Sequence, residues 1–296
     1  MKYGDAVAFR QALEQRLRAR AAGDGARLAR DRKRVAFERL LARLNEVAPG
    51  DWLLKGGFAL DLRLADRARA TRDVDIDWKA DEEELAETLI EAAGISSDDF
   101  FIFGIERTRM APERLGGSHR FRVTASLGGR QFETFLLDVG LRPSLADERD
   151  TLTTTDLLSF AEIEPVEVPA VPLERHIAEK LHAYTRRYGE DQPSSRVKDL
   201  IDIVLMSELA SFEYVRLREA IVTTFSERET HELPASLPAP SGDWAQPYRV
   251  LAAEVGLDPD LASGHRAAAA FLDPILGETP DLDWWDERAT SWQHRR

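Results

Sequence analysis

One short stretch, residues 73–78 (DVDIDW), constrains the fold most strongly, because it carries an acid at every second position. Side chains alternate between the two faces of a β-strand. Asp73, Asp75 and Asp77 therefore share one face, and the three apolar residues share the other. The pattern predicts a strand that packs its apolar face on a core and turns its acidic face to a cleft. Carboxylates two positions apart are separated by about 6.5–7 Å at their Cα atoms, near enough to share divalent cations.

A double glycine just before this strand favours a nucleotide site. Residues 53–60 (LLKGGFAL) predict a short strand, a turn at Gly56-Gly57 and then a helix. Because glycine has no Cβ atom, backbone N–H groups at such a helix start can approach a phosphate closely. A phosphate site beside paired carboxylates indicates metal–nucleotide chemistry. The alternative is a solvated edge strand whose charges prevent aggregation.

A third acid, Asp138, interrupts an otherwise apolar stretch. Residues 120–127 and 130–141 flank Gly128-Gly129, which predicts a β-hairpin with a two-residue turn. A carboxylate inside such a strand is costly to bury unless it is paired or bound to a metal. Asp138 is therefore either a third metal ligand or a structural acid bonded to backbone amides.

The chain becomes helical after a stretch with three prolines, residues 162–172. We interpret this stretch as a connector and predict a first domain over 1–165 and a helical domain over 166–296. The helix expected at 173–187 carries Lys180 at the edge of its apolar stripe. Lys180 reaches either into a cleft or out to water.

The next predicted helix, residues 196–206, is apolar nearly all round after its first turn. Asp202 lies among these apolar residues and needs a cation, for which Lys180 and Lys198 are both candidates. Asp199 is expected at the surface.

Composition limits the classes of protein that this chain can belong to. It has 296 residues, of which 43% are hydrophobic and 31% are charged, as in a soluble globular protein. The absence of cysteine excludes disulfides and cysteine-bound zinc. No apolar run is long enough to span a bilayer and no signal peptide is recognisable, so we expect a cytoplasmic protein without membrane contacts.

The net charge of −13 is unevenly distributed. Residues 1–50 contain 12 Lys and Arg against 6 Asp and Glu, a balance of +6. A local basic segment can contact an RNA backbone even on an acidic protein, or it can be a solvated helix face. Five basic residues flank the apolar stripe of the helix predicted at 27–47: Arg32, Lys33, Arg34, Arg39 and Arg43.

Four segments in order resemble the AbiEii/AbiGii-type nucleotidyltransferase toxins, within the polymerase-beta-like superfamily. Common phosphate-loop, serine-hydrolase and zinc-protease motifs are absent from the sequence. The segments that carry the resemblance are ERLLARL (38–44) with LKGG (54–57), RATRDVD (69–75), LERHIAEKLHA (173–183) and RVKDLIDI (196–203). Many superfamily members have Gly-Ser where this chain has Gly56-Gly57, so a triphosphate contact there would use the backbone only.

The resemblance implies an α+β fold, in which a mixed sheet flanked by helices is followed by a helical half that completes the active-site cleft. It further implies two Mg²⁺ ions at Asp73 and Asp75, with Asp138 on the ion that activates the attacking hydroxyl. Asp202 would orient Lys180. The residues expected to bind the nucleotide are Lys55, Gly56, Gly57, Thr71 and Lys180.

The function implied is transfer of a nucleoside monophosphate from an NTP to RNA, with the tRNA 3′ end as the expected acceptor. Such a toxin would be kept in check by an antitoxin protein. A second hypothesis keeps the chemistry but changes the acceptor to a small molecule, such as an antibiotic, or to a protein side chain. A third is a catalytically silent nucleotide-binding module.

Overall fold

The computed structural model describes residues 2–79, 81–108, 118–142, 145, 148–186, 196–277 and 281–294. The chain divides into two compact units. The first consists of Met1–Arg63 and Ala70–Val171, and the second of Leu64–Arg69 and Pro172–Arg296. The division after Val171 falls within the proline-containing stretch 162–172, while the domain limits 1–165 and 166–296 stay predictions.

A seven-stranded mixed sheet forms the centre of the first unit, with strand order β3-β4-β5-β2-β1-β7-β6. Strand β2, the acidic strand, is parallel to β5 and antiparallel to β1. Because β2 has a neighbour on each side, the alternative of a solvated edge strand is wrong. The elements of this unit are α1 (Ala6–Ala21), α2 (Gly25–Val47), β1 (Trp52–Lys55), α3 (Gly56–Leu64), β2 (Asp73–Trp78), α4 (Glu82–Gly94), β3 (Phe101–Arg107), β4 (Ser118–Leu127), β5 (Arg130–Leu141), β6 (Asp150–Thr153) and β7 (Glu167–Ala170).

Strand β7 lies inside the stretch that we interpreted as a connector. It is parallel to β1, with Leu54 opposite Ala170, and antiparallel to β6. Pro169 removes one backbone donor, but the strand still pairs with β6 through residues on either side of it. The interpretation of this stretch as a connector without secondary structure was therefore wrong at β7. A short strand can accommodate a proline at a position where the backbone N–H is not needed as a hydrogen-bond donor.

Helix α2 covers the apolar side of the sheet. Its Phe37 ring lies 4.9 Å from the ring of Phe58 and 4.7 Å from that of Phe135, measured between centroids. Val74 and Ile76 of β2 are fully buried in the same core. The apolar face of the acidic strand is thus held rigidly, and the opposite face carries the acids.

The five basic residues that flank the apolar stripe of α2 have internal partners, whereas other basic residues of the segment 1–50, such as Arg18 and Arg27, are exposed, so both interpretations of that segment stay open. Arg34 and Arg43 are buried, and their carboxylate partners are Asp61 and Asp99. These residues neither contact water as a solvated face nor remain free for an RNA backbone. The remaining predicted residues also have acidic partners: Arg32 with Glu14, Lys33 with Glu133 and Arg39 with Asp99.

The second unit is mostly helical, and an aromatic tail packs on it. Trp285 is buried and donates from its indole to the Ser207 carbonyl at 2.7 Å, and Trp292 donates to the Phe271 carbonyl at 2.8 Å. The elements are α5 (Leu173–Thr185), α6 (Val197–Ser207), β8 (Phe212–Glu213), α7 (Tyr214–Arg228), α8 (Ala245–Val255), α9 (Leu261–Leu276), β9 (Trp284–Asp286) and β10 (Ser291–Gln293).

The predicted α+β class, a mixed sheet with helices followed by a helical half, is confirmed. Within the described ranges, no helix combines the length and the apolar character needed to cross a lipid bilayer.

Candidate active site

Four charged residues are register partners across four strands of the first unit. Asp75 on β2 is opposite Lys55 on β1 and opposite Asp138 on β5, which in turn is opposite Arg120 on β4. Register partners in neighbouring strands present their side chains on the same face. We call Arg120, Asp138, Asp75 and Lys55 the charged row. Asp73 lies two positions before Asp75 and shares its face.

Gly56 begins α3 directly against the charged row. Its φ of +65° lies in the left-handed region, and an ideal Cβ atom there would be 2.1 Å from Oδ2 of Asp75. A side chain at this position would therefore displace the Asp75 carboxylate, whatever its rotamer. The predicted turn without a Cβ atom is present, and the next residue, Gly57, is buried in the first turn of the helix.

Asp138 is held by Arg120. Nε of Arg120 donates to Oδ1 of Asp138 and Nη2 donates to Oδ2, each at 2.6 Å, which is the two-pronged geometry typical of strong arginine–carboxylate pairs. These hydrogen bonds raise the pKa of Arg120, and the charges of Asp138, Asp73 and Asp75 raise it further, against a lowering by partial burial. The Asp138 partner is thus a guanidinium and not a set of backbone amides.

Asp77, the last acid of the strand, has a different environment. It is buried and pairs with Lys55, and its Oδ1 also lies 3.2 Å from Nε of Arg142. Asp77 and Lys55 both pack over Gly140, where an ideal Cβ would be 2.8 Å from Oδ1 of Asp77. Lys55, which we expected to bind the nucleotide, therefore has an internal partner in Asp77.

Thr71 supports the start of β2. Its hydroxyl donates to the backbone carbonyl of Asp73 at 3.3 Å. This contact orders the backbone just before the acids.

The acids of β2 fit a divalent cation, whereas Asp138 is engaged elsewhere. Asp73 and Asp75 are partly exposed carboxylates on one face, which is the ligand type that Mg²⁺ prefers. Both carboxylate oxygens of Asp138 accept hydrogen bonds from Arg120. Among the residues that the structure describes, no three His, Cys, Asp or Glu side chains are grouped so as to hold a metal ion.

The second unit brings two further predicted residues, Lys180 and Asp202, into contact. Lys180 Nζ lies 2.8 Å from Oδ2 of Asp202, which confirms the predicted pairing. Asp202 also accepts from Nε and Nη2 of Arg69 at 2.9 and 2.8 Å. Asp199 is fully buried, 3.2 Å from Lys180 and 2.9 Å from Arg196, so its expected surface position is wrong. In the first turn of α6, Asp199 is therefore buried while the neighbouring Lys198 is exposed.

Charge interactions keep this cluster ionised in spite of its burial. Burial alone would raise the pKa of Asp202, but the charges of Lys180 and Arg69 lower it far below its usual range. Burial alone would lower the pKa of Lys180, but the charges of Asp202 and Asp199 raise it above its ordinary value. Asp202 is therefore a buried anion that pairs with two cations. Lys198, the other candidate partner, is exposed, and its pKa is lowered by partial loss of solvation and by the charges of Arg69, Arg196 and Lys180.

Sequence reasoning missed Arg120 and the contact of Arg69. Arg69 belongs to one of the four resemblance segments, but the sequence contains no sign of its partner 133 positions away. Arg120 opens the predicted hairpin, but a register shift within that hairpin places it opposite Asp138, so counting from the turn does not find it.

Comparison with known protein families gives a match over most of the chain. A protein-family model described as "Nucleotidyl transferase AbiEii toxin, Type IV TA system" matches residues 39–289. The comparison with curated proteins finds no match.

Among solved structures, the chain is similar in fold to MenT4, a nucleotidyltransferase toxin from Mycobacterium tuberculosis. The TM-score is 0.61 at 18% identity, and the match covers 94% of this chain and 92% of that one. A second match is JHP933 from Helicobacter pylori, with a TM-score of 0.46 at 16% identity over 83% of this chain and 92% of that one.

Proposed function

This chain belongs to the AbiEii family of nucleotidyltransferase toxins of type IV toxin–antitoxin systems, and from that premise we propose that it transfers a nucleoside monophosphate from an NTP to an RNA acceptor. The observation that carries the proposal is the packing of Gly56, at the start of α3, against Asp75 on the acidic face of β2. A helix start can bind phosphate through its N–H groups, and the adjacent carboxylates can bind the accompanying Mg²⁺.

We assign the chain's own residues as follows. Asp73 and Asp75 would hold Mg²⁺, which when bound supplies positive charge to the phosphates and favours ionisation of the attacking hydroxyl. The backbone of Gly56 and Gly57 would hold the β- and γ-phosphates, with Lys55 beside them. Thr71 would keep the acids in position through its contact with the Asp73 carbonyl. Asp138 stays a proposed metal ligand, subject to its pairing with Arg120.

Lys180 and Asp202 have a proposed role that rests on the family resemblance. Lys180 would neutralise charge that develops on the triphosphate, and Asp202 would orient it. The pairing of these two side chains at 2.8 Å supports the orienting role. Positioning and electrostatics supply nearly all the catalysis in phosphoryl-type transfers, so an oriented cation is the expected contribution.

The proposal also includes an RNA acceptor and an antitoxin partner. RNA, and the tRNA 3′ end in particular, follows from the family resemblance, to which Arg34 and Arg43 add nothing because both are paired internally. A cognate antitoxin follows from the type IV toxin–antitoxin family. If the acceptor is RNA, its binding should weaken steeply with added salt, whereas a small uncharged acceptor would be insensitive.

The decisive experiment incubates the purified protein with total tRNA and each labelled NTP in turn. Label should enter RNA with one NTP in the presence of Mg²⁺. The substitution Asp73→Asn should lower this transfer by about 10²–10³-fold, the loss typical of removing one group that stabilises developing charge. Its melting temperature should stay within a few degrees of the native value, because Asp73 is partly exposed.

The matched control is Asp98→Asn, which removes the same charge from an exposed position in the first unit. It should transfer label at the native rate. A folded Asp73→Asn protein with native transfer would contradict the metal assignment. Label on an added aminoglycoside, and none on RNA, would replace RNA by a small-molecule acceptor.

A further inference from the structure

The pairing of Arg120 with Asp138 has a consequence for how the acidic face binds cations. Asp138 is the register partner of Asp75, so its carboxylate faces the same side of the sheet as the proposed metal ligands. Both of its oxygens accept from one guanidinium, at 2.6 Å each. A divalent cation that binds Asp138 therefore meets the positive charge of Arg120 at the oxygens that it needs.

The position of Arg120 allows such an exchange. The Arg120 side chain is 26% exposed, against 14% for Asp138, so the guanidinium has solvent beside it into which it can turn. Asp138 is in turn opposite Asp75, so Arg120 lies two strands away from the proposed metal ligands on the same face. A guanidinium and a metal ion therefore compete for the same concentration of negative charge.

We propose that Arg120 sets how many divalent cations the acidic face binds: while it holds Asp138, Asp73 and Asp75 take one ion, and a second ion binds only when Arg120 releases Asp138. This inference rests on the proposed function, because it assumes that Asp73 and Asp75 bind a metal. Arg120 acts through Asp138 and is a positioning residue. It provides a built-in counter-charge for the third carboxylate while no second ion is bound.

The test measures metal binding directly, without relying on turnover. Mn²⁺ is titrated into the full-length protein and free Mn²⁺ is followed by electron paramagnetic resonance, which gives both the number and the affinity of bound ions. The variant is Arg120→Gln, which removes the charge and the two-pronged contact. The matched control is Arg122→Gln on the same strand and face, where an exposed arginine carries the same charge.

The native protein and Arg122→Gln should bind one Mn²⁺ tightly and a second one weakly. Arg120→Gln should bind the second ion about tenfold more tightly, the factor expected from removing one charge-assisted competitor. Adding Asp138→Asn to Arg120→Gln should return the protein to a single tight ion. Arg120→Lys keeps the charge with a single donor group, so its affinity for the second ion should lie between those of the native protein and Arg120→Gln. This variant replaces Arg120→Gln in the test if Arg120→Gln does not fold.

Three outcomes would overturn the inference. Unchanged Mn²⁺ binding in Arg120→Gln would mean that Arg120 does not compete for Asp138. Weaker binding would mean that Arg120 holds Asp138 in place as a ligand. Absence of Mn²⁺ binding in all variants would remove its premise. A native protein that binds Mn²⁺ as expected but transfers no label to any acceptor would instead contradict the proposed function alone.

Discussion

Gly56 is the single residue on which the geometry at the start of α3 depends most. The substitution Gly56→Ala combines a strained left-handed φ of +65° with a Cβ atom 2.1 Å from the Asp75 carboxylate. We expect a loss of several kcal/mol in the free energy of unfolding, of which about 1–2 kcal/mol is backbone strain. Transfer activity should also fall, because Asp75 has to move. Denaturant unfolding and the labelled-NTP assay measure the two effects.

The control for backbone strain alone is Gly129→Ala. Gly129 has a similar φ of +71°, but no atom lies within 4 Å of its ideal Cβ position. It should lose only the strain, about 1–2 kcal/mol, and keep its activity. Equal losses of stability in the two variants would show that the Asp75 carboxylate can move aside without cost.

Glu38 should make the stability of the first unit depend on pH. It is buried, and its Oε1 accepts from the Thr155 backbone N–H at 2.8 Å. Burial raises the pKa of Glu38 from 4.5 to about 7. Because the folded protein binds this proton more tightly than the unfolded chain, the stabilisation is complete below pH 4.5 and is lost as the pH rises to 7.

The substitution Glu38→Gln should remove this dependence. The difference in unfolding free energy between the native protein and the variant should change between pH 4.5 and pH 7 by on the order of 2 kcal/mol. Glu46→Gln, at an exposed position of the same helix, is the control and should leave the profile unaltered. If the unfolding free energy of the native protein ran parallel to that of Glu38→Gln over this pH range, Glu38 would have an ordinary pKa.

Individual residues were predictable where a local pattern carried the information. The alternation of acids on β2 and the double glycine both lie within a few positions, and both are found as expected. The burial of Asp199 was not predictable, because one of its cationic partners, Lys180, lies on a different helix. A charged residue in the first turn of a helix resembles a surface residue until its neighbours are known.

At the scale of elements, one extra residue in β5 decides which side chain faces Asp138. Near the turn, Leu127 pairs with Arg130 and Ser126 with Gln131, but Ala125 pairs with Glu133, so Phe132 is an inserted bulge residue. Without the bulge, counting from Gly128-Gly129 would place His119 opposite Asp138. The hairpin could be predicted from its glycines but its register could not, because a bulge depends on packing and not on the turn.

The bulge has identifiable support. The Phe132 side chain is buried, its ring lies 4.5 Å from the guanidinium carbon of Arg32, and Arg32 also donates to the Phe132 carbonyl. One arginine of α2 therefore stabilises the irregularity that brings Arg120 opposite Asp138. This contact joins elements 100 positions apart in sequence, which explains why no local pattern announced it.

Helices α5 and α6 are joined by the buried charges around Asp202. The substitution Asp202→Asn leaves Arg69 and Lys180 without their shared anion. We expect the free energy of unfolding to fall by about 3–5 kcal/mol, because breaking a buried ion pair leaves uncompensated charge in a region of low dielectric constant. Hydrogen exchange of peptides from α5 and α6 measures the loss locally.

Asp243→Asn is the matched control in the second unit, since Asp243 is exposed at the start of α8. It should leave exchange in α5 and α6 unaltered. Native-like protection of both helices in Asp202→Asn would mean that Lys180 and Arg69 find other partners, such as Asp199.

On the scale of the whole molecule, the fold class was predictable and the strand order was not. Alternating patterns and glycine turns identify the strands one at a time. The parallel pairs β2–β5 and β1–β7 bring together strands that are distant in sequence, so their neighbours depend on how the whole sheet packs. The basic balance of residues 1–50 likewise says little about the surface, because Arg30 and Arg34 pair with the buried carboxylate of Asp61.

The second unit is assembled from two separated pieces of chain, and this limits how the protein can be taken apart. Leu64–Arg69 is counted with Pro172–Arg296, although it is encoded between α3 and β2. A fragment beginning at residue 172 would omit Arg69 and so deprive Asp202 of one of its two cations. Truncations, gene fusions and exchanges with related toxins that divide the chain at one point therefore do not separate the two units cleanly. A recombinant form of the second unit has to include the six residues Leu64–Arg69.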